Sequence, residues 1–470
     1  MSKSKSKSQP KPRKNRPAAP RLINPNTAGI DIGAEELFAA VPADRDPEPV
    51  RRFLCFTEDL HALARWLVAC GVNSVAMEST GVYWIPVAQI LEPYGLEICL
   101  VNAHHVKNLP GRKSDVQDCQ WLQELHSFGL LAASFRPADQ ICVLRSYWRQ
   151  RARLIQSAAT HIQHMQKALV QMNLQLHHVI SDLTGVTGLR IIRALLAGER
   201  DPNTLAALRD FRIRASQETI AKALLGDYRP EHLFALRQAL ELYDVYAAKL
   251  DECDQQVQAY LKSMDSRVDP ALTPMPPSTR SNKSKKPQRN ETFFDLRLEM
   301  YRVTGVDFTQ IEGFDALTIQ TVISEIGLDP SRFPTCKRFT SWLCLCPDNR
   351  ITGGKIKSSK TRPSANRAAR AFRLAAQSLS HSQGPLGCFY RRMRARLGAP
   401  EAITATAHKL ARIFYRLWSD PGSYDPTRLD YYEKKNQERT VRYLEKKAQS
   451  LGYQLVPKGA SESPAPTAVS

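Results

Sequence analysis

From Ile141 onward the apolar residues Ile141, Leu144, Trp148, Ile155, Ala158, Ile162, Met165, Leu169, Met172 and Leu176 recur at alternating spacings of three and four, and only Arg151 breaks the series. That period keeps one stripe of an α-helix apolar and does not suit a strand, so a long helix is expected here, its stripe buried against other helical surface. A coiled-coil or helix-pair seam is expected, with a long helix packed within its own chain as the alternative. A second amphipathic stretch, Glu231 to Met264, is the candidate antiparallel partner, from the same chain or from a second subunit. Between them SDLTGVTGLRIIRALLAGERDP reads as short helices joined by Gly-containing turns. This helical middle takes residues 138–266 and divides the chain.

Ahead of it the pattern is α/β. Residues 1–24 are rich in Lys, Ser, Pro and Arg and cannot bury enough apolar surface to fold, so a disordered basic arm is expected. Over 25–137, AGIDIGAEELFAAV reads as a strand, VRRFLCF as its neighbour, Thr57 to Gly71 as a helix, NSVAMEST as a buried strand and LEICLVN as another. A helix begins near Tyr83 and a further one at Ser114, a good N-cap with Gln117 completing a capping box and Gly129 closing the element. Asp115 and Asp118 then lie on one face of that first turn. Acidic residues there are usually explained by the helix dipole, and they gain another meaning only when further carboxylates converge on them. Two others lie where they are costly. Asp31 is mid-strand between Ile30 and Ile32, and Glu78 stands at the carboxyl edge of a strand, where open α/β sheets place ligands. Four carboxylates from separate elements suit two hard divalent cations about 4 Å apart, the arrangement of phosphodiester chemistry.

After the helical middle, residues 267–292 are rich in Pro, Ser and Lys and read as a mobile linker. Residues 293–420 follow as a mainly helical domain, and 421–470 as a charged helix from Asp430 with a disordered tail. GVDFTQIEGFDALTIQTVISEIG looks like two short helices joined at Gly313, either a phosphate-gripping turn or plain packing. Further on, Arg350, Lys355, Lys357, Lys360, Arg362 and Arg367 surround the Gly353-Gly354 turn, and Asn366 opens a helix rich in Ala and Arg. A phosphate-binding loop leading into a basic helix is the physical reading. The pair of helices after it should build its core from Phe389, Met393, Leu397, Leu410, Ile413 and Leu417.

Charge points the same way. Lys and Arg number 66 against 46 Asp and Glu, a formal charge of +20, and between Arg332 and Pro400 the only acidic residue is Asp348. A polyanionic partner, nucleic acid, is implied. The ten cysteines show neither zinc spacing nor a disulfide framework. No apolar run nears the roughly 20 residues of a membrane span, so a soluble cytoplasmic protein with no membrane partner is expected.

AGIDIGAEELFAAV, VAMESTGVYW and HHVKNLPGRKSDVQDCQWLQEL resemble the RuvC-type, ribonuclease-H-like domain of the IS-one-ten family of DEDD transposases, enzymes of bacterial insertion sequences. CKRFTSWLCLCPDNRITGGKIKSSKTRPSANRAARAFRLAAQSL resembles the C-terminal transposase domain of the same family. The resemblance implies a RuvC-like α/β domain, a long helical middle and a helical transposase domain, acting together as a site-specific recombinase that cuts and rejoins DNA. It carries the DEDD set onto Asp31, Glu78, Asp115 and Asp118, with two Mg2+ ions as cofactor. It also implies a Ser nucleophile beside the Gly-Gly turn, where this chain has Thr352, with Ser358 and Ser359 as competing hydroxyls. The implied partners are element ends and target DNA, an element-encoded bridge RNA in some members, and further copies of the chain as a homodimer or homotetramer, in a bacterial cytoplasm at the nucleoid. At IEGFDA the chain departs from the family's more Gly- and Pro-rich turn. Other readings stay open: a binding protein that has lost catalysis, which Thr352 in place of Ser favours; a resolvase-like nuclease without a covalent intermediate; and an actin-like sugar kinase, which GIDIGAEE resembles but which lacks a second Gly-rich loop here.

Overall fold

A computed structural model describes residues 22–79, 81–102, 114–278, 290–422, 424–425 and 427–456. Most of the expected N-terminal arm, the stretch from 103 to 113, the centre of the linker and the end of the tail lie outside the described residues. The chain forms two compact units, Met1–Arg136 and Pro137–Ser470.

The first unit is a mixed sheet with helices. Strands β1 (Thr27–Ile32), β2 (Glu36–Ala40) and β3 (Val50–Leu54) are antiparallel neighbours, while β4 (Ser74–Glu78) and β5 (Glu97–Val101) run parallel to β1, in the order β3-β2-β1-β4-β5. AGIDIGAEELFAAV is therefore two strands and not one: the chain reverses at Gly33, whose N–H donates to the Glu36 carbonyl at 2.9 Å. Helices α1 (Thr57–Ala69) and α2 (Trp84–Leu91) share one core with Ala28, Ile30, Val75 and Met77. Helix α3 (Asp115–Ser127) packs with Cys99, Val101 and Leu122 in a separate cluster. Residues 22–24 are not a free arm, because the Ile23 and Asn24 N–H groups donate to the Ser127 carbonyl at 2.9 and 3.0 Å and close off the end of α3.

The second unit begins with α4 (Asp139–Gln171), and after four short helices, α5 (Leu176–Val179), α6 (Val186–Leu196), α7 (Pro202–Ala207) and α8 (Gln217–Ala223), the chain returns in α9 (Pro230–Ser263). α4 and α9 run antiparallel in the same chain: Tyr260 Oη donates to the Gln140 carbonyl at 2.8 Å near one end, and His161 stacks on Tyr246 at 5.3 Å further along. Arg151, the break in the apolar series, lies between them. It forms a two-point ion pair with Asp254, both residues 2% exposed, adds a hydrogen bond to the Asn290 carbonyl and lies 5.0 Å from the Trp148 ring. The helix stops before the sequence period does. Asn173 takes φ +57°, and Met172, Leu174 and Leu176 turn into a knob core with Ile191, Leu195, Ile220 and Leu236.

Residues 267–278 are held down and do not form a free linker. Arg297 Nη2 donates to the Pro276 carbonyl at 2.7 Å, Gln310 Nε2 to the Pro277 carbonyl at 3.0 Å, and Tyr301 Oη to the Thr273 carbonyl at 3.3 Å. Then follow α10 (Leu296–Thr304), α11 (Ala316–Ile326), α12 (Cys336–Trp342), the hairpin β6 (Arg350–Thr352) and β7 (Lys355–Ser358), α13 (Arg367–Ser378), α14 (Pro385–Leu397), α15 (Ala399–Ser419) and α16 (Thr427–Ser450). An aromatic cluster centres on Phe414, with Phe308 stacked on it at 4.4 Å and Phe372 edge-on at 5.6 Å. Leu410 and Leu417 join this core as expected, but Leu397, the last residue of α14, is 44% exposed, and Leu386 and Tyr390 are the buried positions of that helix. The turn at IEGFDA packs inward: Phe314 meets Phe372, and the Glu312 carboxylate accepts from the Leu386 N–H at 3.2 Å and from Ser382 Oγ. Among the described residues no helix is long and apolar enough to cross a membrane.

Candidate active site

The sheet face under α3 is built from small residues. Strand alternation puts Thr27, Gly29 and Asp31 of β1 on that face, and the β1–β4 register, Gly29 beside Ala76, adds Ser74, Ala76 and Glu78. Gly29 sets the approach: a Cβ there would stand 2.3 Å from the Cys119 carbonyl oxygen and 2.3 Å from the Gln123 nitrogen. The helix backbone thus lies directly on the strand. Toward the start of β1, Gln123 Nε2 reaches Thr27 Oγ1 at 3.5 Å, and Ser74 Oγ shares a 2.8 Å hydrogen bond with His126 Nε2. The helix consequently runs opposite to β1, and its first turn comes to the end of the strand that holds Asp31.

Ser114 Oγ caps that turn by accepting from the Gln117 N–H at 3.4 Å, with Asp115 at the first helical position. The electrostatics record the convergence. Burial, then the charges of Asp115, Asp118 and Glu78, push Asp31 up to about 6, against a hydrogen bond to its carboxylate from the Ile32 backbone. All four carboxylates therefore act on one locality, with Asp115 exposed and the other three half-buried. Among the described residues no group of three or more His, Cys, Asp or Glu is already drawn together as a ready-made metal cage. Cys119, beneath the cluster, is fully buried, and that burial pushes its thiol up to about 12, so it supplies no thiolate.

The hydroxyl candidates lie in the second unit. Thr352 ends β6 opposite Lys355, and the two residues joining them, Gly353 and Gly354, take φ +57° and +74°. Positive φ at both central positions is the two-residue type I′ turn, for which glycine is suited. Thr352 pairs with Lys355 on one face, the exposed Ile351 and Ile356 pair on the other, and a bulge between Arg350 and Ile351 sets Ser358 opposite Arg350. Ser358 is half-buried, its Oγ accepting from the Lys360 N–H at 3.3 Å, while Ser359 and Thr352 are exposed. Lys357 and Lys360 are exposed, Arg362 donates to the Ser341 carbonyl at 3.1 Å, and Arg367 opens α13 behind its Asn366 cap.

Sequence reasoning did not anticipate Gly29 as the seat of α3 or the His126–Ser74 bond. A signal was present, since Thr27, Gly29, Ser74 and Ala76 are small at period two on adjacent strands. Nor was the hairpin foreseen, although two glycines between short β-prone runs are its usual mark.

Two family models match the chain. One, for DEDD enzymes of the IS110 type and described as a transposase, covers residues 28–174 and with them the four carboxylates. The other, described as the transposase IS116/IS110/IS902 family, covers residues 307–391 and with them the Gly-Gly hairpin. No curated protein matches the chain. With the four carboxylates inside one match and the Gly-Gly hairpin inside the other, the chain belongs to the IS110 family of transposases.

Proposed function

We propose that this transposase cuts and rejoins DNA in a metal-dependent reaction at Asp31, Glu78, Asp115 and Asp118, with the Thr352 hydroxyl as nucleophile. The observation that carries the metal reading is the pressure on Asp31. A carboxylate raised to about 6 by burial and then by three other carboxylates marks a locality short of positive charge, and the donors are all hard carboxylate oxygens, the chemistry of a magnesium site. The four side chains would hold two Mg2+ ions, whose charge would offset the negative charge that builds at phosphorus. The strand order of the first unit, with its antiparallel hairpins and parallel β4 and β5, supports the ribonuclease-H-like, RuvC-type reading.

Thr352 is favoured over Ser358 and Ser359 on position, because it stands at the Gly-Gly turn opposite Lys355, which can fix a phosphate before it. Its Oγ1 bonds to phosphorus as the bond from phosphorus to a sugar oxygen breaks, the threonine proton passing to water and the departing sugar oxygen taking one up to leave as a hydroxyl. The phosphoester keeps the bond energy, so a second sugar hydroxyl can rejoin the strand without an external source. The threonine methyl narrows the approach to one rotamer and slows this step relative to serine. Element-end and target DNA must be held together, so a homodimer or homotetramer fits, and the basic surface also suits an element-encoded guide RNA.

The test is an adduct trap with element-end DNA, flanking-region RNA and Mg2+, followed by denaturation and peptide mapping. An adduct on Thr352 is expected, and Asp115→Ala or Glu78→Ala should lower its yield at least 100-fold while nucleic-acid binding stays. Undiminished cleavage in those variants would remove the carboxylates from the mechanism. Cleaved DNA without an adduct would point to a water-activating nuclease, and neither product, with nucleic acid bound, to a binding protein.

A further inference from the structure

Helices α4 and α13 both pack on α11. At the C-terminal end of α11, Glu325 accepts from Arg149 Nε at 2.9 Å and Nη2 at 2.7 Å. Arg145 lies 3.4 Å from the same carboxylate and donates to the Ser324 and Glu325 carbonyls at 3.0 and 2.9 Å. One turn beyond Arg149 on α4 comes Arg153. On α13, Arg367 and Arg370 lie one turn apart at the helix start, and the charges of Arg149, Arg370 and Arg153 all bear on Arg367, with Glu325 the one opposing charge. Glu325 is thus paired with Arg145 and Arg149, and among the described residues no ion pair with a carboxylate occupies Arg153, Arg367 or Arg370.

Such a gathering is unfavourable in the protein alone. The guanidinium groups repel one another, and the two on α13 stand at the positive end of a helix whose first turn has no acidic residue. A solvated basic face would spread its charges; here two elements bring theirs to one place. The Arg149–Glu325 pair holds its guanidinium in a fixed fork, while Arg153 and Arg370 are exposed. An anion repeated along a chain, offering several oxygens at once, satisfies this arrangement.

We propose that Arg149, Arg153, Arg367 and Arg370 form a clamp for the phosphodiester backbone of a bound nucleic acid strand, joining the base of the α4–α9 pair to the helix that follows the hairpin. The inference rests on the reading of the chain as a nucleic-acid enzyme and names contacts outside its carboxylates and hydroxyl. DNA and RNA share this backbone chemistry, and the experiment separates them.

Binding of an element-end duplex and of flanking-region RNA would be measured by fluorescence anisotropy from 0.05 to about 0.3 M salt, a range over which counterion release is readily seen. The full-length protein would be compared with Arg153→Gln/Arg370→Gln and with Arg214→Gln/Lys222→Gln, a pair of exposed charges on the knob, after melting curves confirm that each variant is folded. The clamp variant should lose about tenfold or more in affinity and reduce the salt slope by about 0.9 for each duplex phosphate released or about 0.7 for a single strand, whereas the knob variant should change little. Whichever polymer shows the loss is the strand held. Unchanged affinity and slope on both polymers, or an equal loss in the knob variant, would overturn the clamp and leave the carboxylate reading intact. Wild-type protein binding neither polymer would overturn both.

Discussion

Asp31 shows what four gathered carboxylates do to the protein that carries them. Held at about 6, it is largely ionised at neutral pH despite burial and three like charges, so the folded state bears a repulsion that the unfolded chain lacks. Asp31→Asn keeps the side chain's shape and removes one of the charges. In EDTA near pH 7.5 the variant should be more stable than wild type by about 1–2 kcal/mol in chemical denaturation, while metal-dependent cleavage is lost. A variant less stable than wild type would mean that the Asp31 charge has a partner that offsets the repulsion. The sequence singled out this residue because a carboxylate between two isoleucines in a strand is hard to explain as structure. What it did not reveal is why Asp115 and Asp118 come near, because that depends on the bare backbone of Gly29, two residues away on the same face.

At the scale of elements, two contacts decide the arrangement. The first is α3 on β1. Gly29→Ala places a methyl group against backbone atoms of Cys119 and Gln123, which cannot swing aside as a side-chain tip would. The helix must lift. A loss of about 2–3 kcal/mol in denaturant unfolding is expected, the upper range for overpacking, together with loss of strand cleavage. Normal stability in that variant would mean that α3 is not seated as described. The second contact is Arg151 with Asp254. Breaking a buried pair leaves an unpaired charge inside, so Arg151→Met should destabilise by about 3–5 kcal/mol, and Arg151→Met/Asp254→Leu should regain most of it. If the double variant is as unstable as the single one, the pair is worth more than its packing. In sequence Arg151 looked like a flaw in an apolar seam; it became intelligible only with its partner 103 residues away. The helices themselves were legible because period and caps are local, whereas the end of α4 at Gln171 was not, since Met172 and Leu176 stay in phase while serving another core.

At the scale of the molecule, the mixed sheet ahead of a largely helical remainder followed from where the period changes from two to three-and-four. The tethering of residues 267–278 did not follow, because Pro-rich composition describes what a segment cannot form and says nothing about what holds it. The α4–α9 pair has a mechanical consequence. With 33 and 34 residues rising about 1.5 Å each, it is a strut of roughly 50 Å, anchored on α11 at one end and carrying the knob at the other. Its stiffness makes it a gauge: the knob is held away from α11 at a separation written into the chain length. Adding or removing whole heptads in both helices would reset that gauge without altering a single contact at either end.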